Sequence, residues 1–361
     1  MRRRLWLVKL RGLAKETNVA AIKLKNEAGR FGLGSFKALG GAYAISRLLL
    51  NQLNAGRETP VGLDFLLSDK GRALNSKVIL CTATDGNHGR SVAWGAQMFG
   101  CNCVIFIHEH VSEGRENAIA AYGARVVRVA GNYDDSVREA KTTAAREGWT
   151  VISDTSYEGY RDIPLDVMAG YAVMVCEAID QWGSANLPTH VFLQTGVGAM
   201  AAAVAVQLQE AYGDDCPKII LVDPINAACF YDSLKHGTPT VTLGGLETVM
   251  AGLACGEISD LAWDILYEGV DAVVAIDDDA AKNVMRVLAA GNTLDAPMVA
   301  GESGASGLAA FLALAHDDAA RTALGITAES RLLFFSTEGA TDPEIYQAIV
   351  GKAPQQIAEG A

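Results

Sequence analysis

The sequence predicts an α/β fold in which helices cover both faces of parallel β-sheets. Short runs of β-branched and other apolar residues alternate along most of the chain with alanine-rich stretches of helical length. Strands and helices that alternate in this way form parallel sheets buried on both sides. The 361 residues are enough for one large domain or two ordinary ones, and no low-complexity linker divides them.

The apolar runs predict buried strands and the helices that follow them. The predicted strands are residues 78–82, 103–107, 125–129, 150–153, 190–194, 218–222 and 332–336. The predicted helices between them are residues 89–99, 113–122, 134–147 and 199–212. An earlier helix is predicted to extend to Leu50, with Ser35 as its N-cap and Lys37 in its first turn.

The charge balance is acidic, with 30 lysines and arginines against 42 aspartates and glutamates and a formal net charge of −12. A negatively charged surface argues against nucleic acid or an anionic membrane as the main partner. The longest stretch without a charged residue, 181–209, contains Pro188 and several polar residues, so it predicts a strand, a loop and a helix rather than a membrane span. The cysteines form no C-x-x-C pair, which favours free thiols in a reducing cytoplasm.

Lys37 is the first candidate for chemistry. The amino-terminal end of a helix carries partial positive charge and disfavours a cation, so this position favours a lowered pKa for Lys37. A lysine that loses its proton readily suits a nucleophile or a Schiff base. Taken alone, however, Lys37 fits a solvated surface lysine better.

A polar loop follows the predicted strand at residues 78–82 and carries the second set of candidates. Loops at the carboxyl ends of parallel strands are where α/β proteins bind ligands. Asp85 is either a general base or the N-cap of the next helix. Asn87 is suited to bind a ligand oxygen, and His88 is either catalytic or structural. The spacing alone does not decide between function and helix capping.

A glycine-rich turn between a predicted strand and helix carries the third set. Successive backbone N–H groups at the start of a helix bind anions such as phosphate. The turn also fits the G-x-G-x-x-A dinucleotide fingerprint, with Asp223 where an acid would bind a ribose hydroxyl. A nicotinamide-dependent dehydrogenase is therefore a serious alternative at this point. The residues of the turn are Thr195, Gly196, Val197, Gly198, Ala199, Met200 and Ala201.

Two weaker signals complete the set. His108, Glu109 and His110 are of metal-ligating types, but they follow a strand and have no partner cluster, so a structural role is favoured. Ser336 and Thr337 stand at the end of the last predicted strand, where their hydroxyls would either face a ligand or cap a helix.

Taken together and in this order, these motifs resemble those of the fold-type II enzymes that depend on pyridoxal 5′-phosphate (PLP), the tryptophan synthase β-like superfamily. Within it, the sequence is most similar to the diaminopropionate ammonia-lyase family. The matching segments are residues 30–44, 83–90, 154–160, 194–200 and 336–343. One departure lies near the start, where Val8 to Ala14 replace the Thr-Pro-Leu segment usual in these enzymes.

The resemblance implies two open, twisted, mostly parallel sheets covered by helices, with PLP in a cleft between a large and a small domain. It assigns residues 1–74 and 176–361 to the large PLP-binding domain and residues 75–175 to the small domain inserted in it. Homodimers are usual in the family. The implied partners are a small amino-acid substrate and a second copy of the chain, in the cytoplasm, without nucleic acid, membrane or metal.

The resemblance also implies which residues bind the cofactor. Lys37 would hold PLP as a Schiff base, and Asn87 would hydrogen-bond its 3′-oxygen. A hydroxyl of either Ser336 or Thr337 would face the pyridine nitrogen, and a neutral hydroxyl there favours elimination over transamination. The phosphate would be bound by the backbone amides of Gly196, Val197, Gly198, Ala199 and Met200.

The implied reaction is the α,β-elimination of ammonia from D- or L-2,3-diaminopropionate, which gives pyruvate and two ammonia. Related serine and threonine dehydratases carry serine where this chain has Asp85, and a carboxylate suits a substrate with a second ammonium group. Asp85 would remove the α-proton of the D form and Asp154 that of the L form. Implied substrate contacts are Ser35, Asp85, Asp154 and Tyr133, although Tyr133 fits core packing equally well. A PLP-dependent dehydratase is the alternative.

Overall fold

The computed structural model of the chain describes residues 4–84 and 86–358, in which strands and helices alternate as predicted. The ten strands in these residues are β1 (Leu7–Lys9), β2 (Ala21–Asn26), β3 (Ile79–Ala83), β4 (Asn102–His108), β5 (Arg125–Val129), β6 (Thr150–Val151), β7 (His190–Gln194), β8 (Lys218–Pro224), β9 (Ala272–Ile276) and β10 (Arg331–Ser336). The sixteen α-helices in the same residues are α1 (Arg11–Glu16), α2 (Lys37–Asn54), α3 (Leu63–Leu67), α4 (Asp69–Asn75), α5 (Asn87–Phe99), α6 (Glu113–Ala120), α7 (Tyr133–Glu147), α8 (Asp162–Trp182), α9 (Ala199–Tyr212), α10 (Cys229–His236), α11 (Asp260–Leu266), α12 (Asp278–Ala290), α13 (Ser306–Leu314), α14 (Asp318–Leu324), α15 (Pro343–Val350) and α16 (Pro354–Ala358).

These elements form two compact units, each with its own sheet, which confirms the predicted α/β architecture with two mostly parallel sheets. Among the described residues, the large unit comprises residues 4–36 and 172–358, and the small unit comprises Lys37–Tyr171. The contacts therefore group residues 37–74 with the small unit, whereas the predicted small domain begins at residue 75.

The close packing of α2 against α5 explains this grouping. A Cβ atom on Gly41 of α2 would lie 2.3 Å from Ser91 Oγ of α5. A Cβ atom on Gly95 of α5 would lie 2.8 Å from the Ile45 side chain of α2. Glycine at these two positions lets the helices approach closely. Helix α2, which begins at Lys37, is thereby fixed to the small unit.

The small unit contains a four-stranded parallel sheet in the order β5-β4-β3-β6. Alternate residues of β4 pack into different apolar clusters, with Ile105 and Ile107 in one and Val104 and Phe106 in the other. Both faces of the sheet are thus buried, as expected for parallel strands. Because β3 and β6 are parallel neighbours, the loops that follow them leave from the same edge of the sheet.

The large unit contains a six-stranded sheet in the order β1-β2-β10-β7-β8-β9. Strand β1 runs antiparallel to β2, and the other neighbouring pairs are parallel. The buried rings of Phe192, Phe311 and Phe334 pack together against it, with centroids 5.6–5.9 Å apart. Strands β7 and β10 are adjacent and central, so the polar residues at their carboxyl ends meet at one edge.

Four charged side chains form an ion network in the large unit: the buried Lys25, Glu27 and Arg30, and the half-buried Glu177. Lys25 Nζ lies 2.7 Å from Glu177 Oε2, and Arg30 bonds Glu27 at 2.7 Å and Glu177 at 2.8 Å. The Lys25 and Glu27 side chains are fully buried. Unpaired charges in such a place would cost several kcal/mol each, so the two cations and two anions depend on one another.

The predicted strands and helices are confirmed, with ends that differ by a few residues. Ser35 is not the N-cap of α2, because the helix begins at Lys37 and Ser35 instead forms a β-bridge with Glu338. Strands β1, β2 and β9 were not predicted. Strand β2 carries Lys23 and Lys25, which obscure its buried character in the sequence because the Lys25 charge is balanced inside the protein.

The stretch without charged residues folds as predicted, into the end of α8, strand β7 and helix α9. Within the described ranges, no helix combines the length and the apolar character that a membrane crossing requires. No disulfide joins cysteines of the described residues, and burial raises the pKa of Cys81 and of Cys101 to about 12.

Candidate active site

Lys37, His88, Asp154 and Tyr171 meet in the small unit, and we call these four residues the lysine cluster. Lys37 Nζ lies 2.5 Å from Asp154 Oδ2, and 5.9 Å from the centre of the Tyr171 ring. His88 Nδ1 lies 3.8 Å from Asp154 Oδ2. The Asp154 side chain is 8% exposed and that of Lys37 19%. The fold thus brings together a lysine and an aspartate that are 117 residues apart in the chain.

The charge on Lys37 controls the acidity of Asp154. Burial raises the pKa of Asp154, but attraction to Lys37 and His88, together with the hydrogen bond from Lys37, outweighs it and holds the pKa well below its usual range. Burial lowers the pKa of His88, so its ring is neutral near pH 7. We therefore attribute the low pKa of Asp154 mainly to Lys37. Burial likewise raises the pKa of Tyr171, which keeps the phenol neutral.

Thr84 shapes the loop that leads to His88. Its Oγ1 accepts hydrogen bonds from the backbone N–H groups of Gly86 at 2.9 Å and Gly89 at 3.0 Å. Helix α5 then begins at Asn87, which is half-buried. Asp85 lies outside the described residues, so its roles as base and substrate contact stay predictions. The structural role of Thr84 was missed by the sequence interpretation, in which Asp85 was the candidate cap.

Tyr133 is the first residue of α7 and is half-buried. A capping box formed by Asn132 and Asp135 fixes the start of this helix. The predicted contact between Tyr133 and the substrate stays a prediction.

The residues from Thr195 to Met200 form the glycine loop of the large unit. Helix α9 begins at Ala199, and among the described residues no side chain caps its amino terminus. Gly198 has φ of +93°, and a Cβ atom there would lie 2.4 Å from the Phe230 ring, so both backbone and packing require glycine. Uncapped N–H groups at the start of a 14-residue helix suit a phosphate, so the loop fits that part of PLP.

Asp223 supports the glycine loop from within the protein. Its carboxylate is fully buried and accepts hydrogen bonds from Thr195 Oγ1 and, at 2.9 Å, from the backbone N–H of Tyr231. Burial raises the pKa of Asp223 to about 6. Both carboxylate oxygens are engaged inside the protein, so Asp223 does not bind a ribose. The interpretation of this turn as a dinucleotide fingerprint is therefore wrong.

Gln194 connects the ends of β7 and β10. Its Nε2 donates to Thr337 Oγ1 at 3.0 Å and to the Phe335 carbonyl at 2.9 Å. Because Thr337 Oγ1 accepts this bond, its own hydrogen is directed elsewhere. Ser336 is fully buried, and its Oγ lies 3.5 Å from the Glu338 carbonyl. Sequence reasoning missed Gln194, whose one signal is its polarity at the end of an apolar strand.

The remaining candidates lie apart from these groups. Ser35 is buried in its bridge with Glu338 in the large unit, and its contact with substrate stays a prediction. Glu109 and His110 are exposed. Across residues 4–84 and 86–358, no three metal-ligating side chains come together.

Comparisons with known proteins place the chain in a family. The model of the family "Pyridoxal-phosphate dependent enzyme" matches residues 3–327. The diaminopropionate ammonia-lyase of Escherichia coli K12 is 39% identical over 357 residues, which cover 98% of this chain and 88% of that protein. The L-threonine dehydratase of the same organism is 28% identical over 228 residues, covering 63% of this chain and 41% of that protein.

A solved structure of the Escherichia coli diaminopropionate ammonia-lyase, in complex with an aminoacrylate–PLP azomethine intermediate, superposes with a TM-score of 0.87. The two chains are 38% identical, and the match covers 97% of this chain and 88% of that one. The match with the lyase thus extends over nearly the whole chain, whereas that with the dehydratase stops at about two thirds. The chain belongs to the pyridoxal-phosphate dependent enzymes and, within them, to the diaminopropionate ammonia-lyase family.

Proposed function

We propose that this protein catalyses the PLP-dependent elimination of ammonia from D- and L-2,3-diaminopropionate, giving pyruvate and two molecules of ammonia. The observation that carries the proposal is the 39% identity to the Escherichia coli lyase over 98% of the chain. The similarity to the L-threonine dehydratase is weaker than that to the lyase, both in sequence identity and in the share of the chain that it covers. The lysine cluster and the glycine loop supply the kinds of groups that this reaction needs.

Bound PLP supplies an electron sink for the charge that develops on the α-carbon of the substrate. In our proposal Lys37 holds the cofactor covalently, Asn87 hydrogen-bonds its 3′-oxygen and the N–H groups of the glycine loop bind its phosphate. The partial exposure of Lys37 and the uncapped start of α9 support these roles.

We assign the contact with the pyridine nitrogen to Thr337 rather than Ser336. Gln194 donates to Thr337 Oγ1, which leaves the hydroxyl hydrogen of Thr337 for another acceptor. Ser336 Oγ instead lies near the Glu338 carbonyl. A hydroxyl that donates to the ring nitrogen leaves that nitrogen unprotonated, which favours elimination over transamination.

Proton removal from the substrate is assigned to two carboxylates. Asp154 would act on the L form and Asp85 on the D form. Asp154 is buried, and its low pKa in the presence of charged Lys37 keeps it in the ionised form that a general base must have before the reaction begins. A positioned general base contributes about 10²–10⁴-fold to a rate. The assignment of Asp85 rests on the family resemblance.

The carboxylates of Asp85 and Asp154 also determine which substrate is preferred. A buried carboxylate attracts the second ammonium group of diaminopropionate and offers no such attraction to the hydroxyl of serine. We expect diaminopropionate to be preferred over serine for this reason. Ser35, which lies in a segment that resembles the family, and Tyr133 are further proposed substrate contacts.

We also propose that the enzyme is a cytoplasmic homodimer. The family resemblance supports the dimer, and the free, largely buried thiols are consistent with a reducing compartment. Size-exclusion chromatography with light scattering tests the dimer, and a mass near the 38.1 kDa of one chain would contradict it.

Pyruvate release tests the reaction. With PLP present, we expect rapid release from D- and L-2,3-diaminopropionate and much slower release from D- and L-serine. Faster release from serine would make dehydratase the correct name. No pyruvate from any of the four amino acids would contradict the proposal as a whole.

A further inference from the structure

His88 is a buried side chain to which the proposed reaction assigns no role. It lies on α5, and its side chain is 8% exposed. Its Nε2 lies 2.8 Å from the backbone carbonyl oxygen of Ile152. A carbonyl oxygen only accepts hydrogen bonds, so Nε2 carries the hydrogen. In the neutral ring, Nδ1 is therefore a lone-pair acceptor.

This acceptor faces Asp154. His88 Nδ1 and Asp154 Oδ2 are 3.8 Å apart, and Nδ1 has no hydrogen-bond partner among the described residues. While both groups are unprotonated, two acceptors face each other and no bond forms. A single proton on the carboxyl would allow an O–H···N hydrogen bond that satisfies both atoms, once they close from 3.8 Å to hydrogen-bond distance, about 2.7–3.2 Å. Burial lowers the pKa of His88, which favours the carboxyl as the site of that proton.

Among the described residues, the other ionisable groups that face Asp154 are Lys37, Tyr160 and Tyr171. Burial raises the pKa of both phenols, so they stay neutral near pH 7. The Tyr160 hydroxyl donates to the Val151 carbonyl at 2.8 Å. Within residues 4–84 and 86–358, Lys37 is thus the main cation that sets whether Asp154 holds a proton.

We propose that His88 is a positioning residue for Asp154, accepting a hydrogen bond from the protonated carboxyl and so stabilising the proton that Asp154 takes from the substrate. The inference rests on the proposed function of Asp154. The electron pair of the broken C–H bond stays with the substrate carbon, and the proton moves to Asp154 Oδ2. The new O–H then donates to His88 Nδ1, while Nε2–H stays bonded to the Ile152 carbonyl.

Lys37 makes this arrangement conditional. As an ammonium, it bonds Asp154 at 2.5 Å and stabilises the carboxylate, which is then a weak base. When its nitrogen no longer carries the charge, burial favours the protonated carboxyl, and His88 accepts a hydrogen bond from it. The basicity of Asp154 therefore rises when Lys37 is engaged in the reaction.

Titration of Asp154 tests the inference without any turnover. In the full-length Lys37→Ala protein, infrared difference spectra report the carbonyl stretch of the protonated carboxyl, and Lys37→Ala/Asp154→Asn assigns the band. Adding His88→Phe should lower the midpoint of this band by about one pH unit, since one hydrogen bond to the neutral form is worth about tenfold in protonation. An unchanged midpoint would overturn the proposal, whatever the reaction proves to be.

A second measurement avoids a variant that fails to fold. In Lys37→Ala with His88 intact, the ¹⁵N shift of His88 Nδ1 should move toward that of a hydrogen-bonded acceptor as Asp154 protonates. A shift that does not follow the carboxyl titration would overturn the proposal.

Kinetics of the holoenzyme provide the functional test. We expect His88→Phe to lower kcat on L-diaminopropionate about tenfold more than on the D isomer, because one hydrogen bond to the base of the L form is lost. The matched control is His190→Phe, since His190 is also buried and its Nε2 bonds the Leu324 carbonyl at 3.1 Å. The control should leave the ratio of isomers unchanged. Equal losses on both isomers in His88→Phe would overturn the inference.

Discussion

The lysine cluster and the glycine loop offer different kinds of groups to a ligand: ionisable side chains in the first and backbone N–H groups in the second. The lysine cluster consists of ionisable side chains whose charges depend on one another, with Asp154 held ionised by Lys37. The glycine loop offers backbone N–H groups, and its shape depends on Gly198 and on the buried support from Asp223. In the proposed reaction, proton movement is thus assigned to side chains of the small unit and anion binding to the backbone of the large unit.

This difference determines how each region responds to substitution. In our proposal, a change at Lys37 or Asp154 removes a reacting group and should alter the reaction itself. The backbone groups of the glycine loop cannot be deleted in that way, so changes at the residues that support them should alter affinity or stability. The predictions below test this division, beginning with the largest expected effect.

Removing Lys37 should have the largest effect. We expect Lys37→Ala to abolish pyruvate release and the visible absorbance of the PLP–lysine adduct, because no amine remains to bind the cofactor covalently. The matched control is Lys282→Ala on α12, where the lysine pairs with Asp279 at 3.2 Å. Full turnover by Lys37→Ala would refute the assignment of the lysine cluster.

Replacing the bases should separate the two isomers. We expect Asp154→Asn to lower kcat on L-diaminopropionate about 100-fold more than on the D isomer, as a missing general base would. Asp85→Asn should do the reverse. Parallel losses on both isomers in both variants would contradict the division between two bases and leave the reaction class intact.

Substitutions at the end of β10 should have a more moderate effect on the rate of elimination. We expect Thr337→Val to slow elimination about tenfold, because one donated hydrogen bond to the pyridine nitrogen is lost. Ser336→Ala is the matched control, and it should retain most activity. Absorbance spectra of the bound cofactor provide an independent readout. A larger loss in Ser336→Ala would reverse the assignment between these two hydroxyls.

Asp223 should affect stability rather than the reaction. Its pKa of about 6 in the folded protein lies above the ordinary value of 3.8, so the folded state holds this proton more tightly than the unfolded chain does. Its contribution to the free energy of unfolding is therefore complete below about pH 4 and is lost as the pH rises through 6. Asp223→Asn should remove this loss and become more stable than the wild type by up to about 3 kcal/mol at pH 8.

Urea denaturation of the PLP-free protein at pH 4 to 8 measures the difference in stability for Asp223→Asn. The control is Asp279→Asn, whose side chain is 89% exposed and which should show no such pH-dependent gain. A difference that is the same at every pH would mean that Asp223 is ionised throughout, with an ordinary pKa.

Much of the fold could be predicted, because parallel strands buried on both faces are continuous apolar runs. The glycine loop was also recognisable as a local motif, whereas Lys37 taken alone fitted a surface lysine and became a candidate only together with the other motifs. Only the family resemblance placed Asp154 in one site with Lys37, because their pairing depends on the neighbouring positions of β3 and β6 and on the start of α2. No local pattern records which residues 117 positions apart will meet.

At Asp223, by contrast, a local sequence pattern suggested a role that the residue does not have. Its position after a glycine-rich turn and the next strand fits a ribose-binding acid equally well. Only the burial of its carboxylate and its bond with Thr195 separate the two interpretations. The role of His88 likewise could not be decided from the sequence. The hydrogen bond to the Ile152 carbonyl sets the tautomer of its ring, and the residue type alone does not predict that bond.

The ion network of Lys25, Glu27, Arg30 and Glu177 has a consequence for how this sequence can evolve. A substitution at one of these positions leaves an uncompensated buried charge, which typically costs 3–5 kcal/mol. A simultaneous exchange of all four for well-packed apolar residues carries no such cost. The positions therefore form one epistatic unit: descendants of this sequence should inherit the four charges together or lose them together.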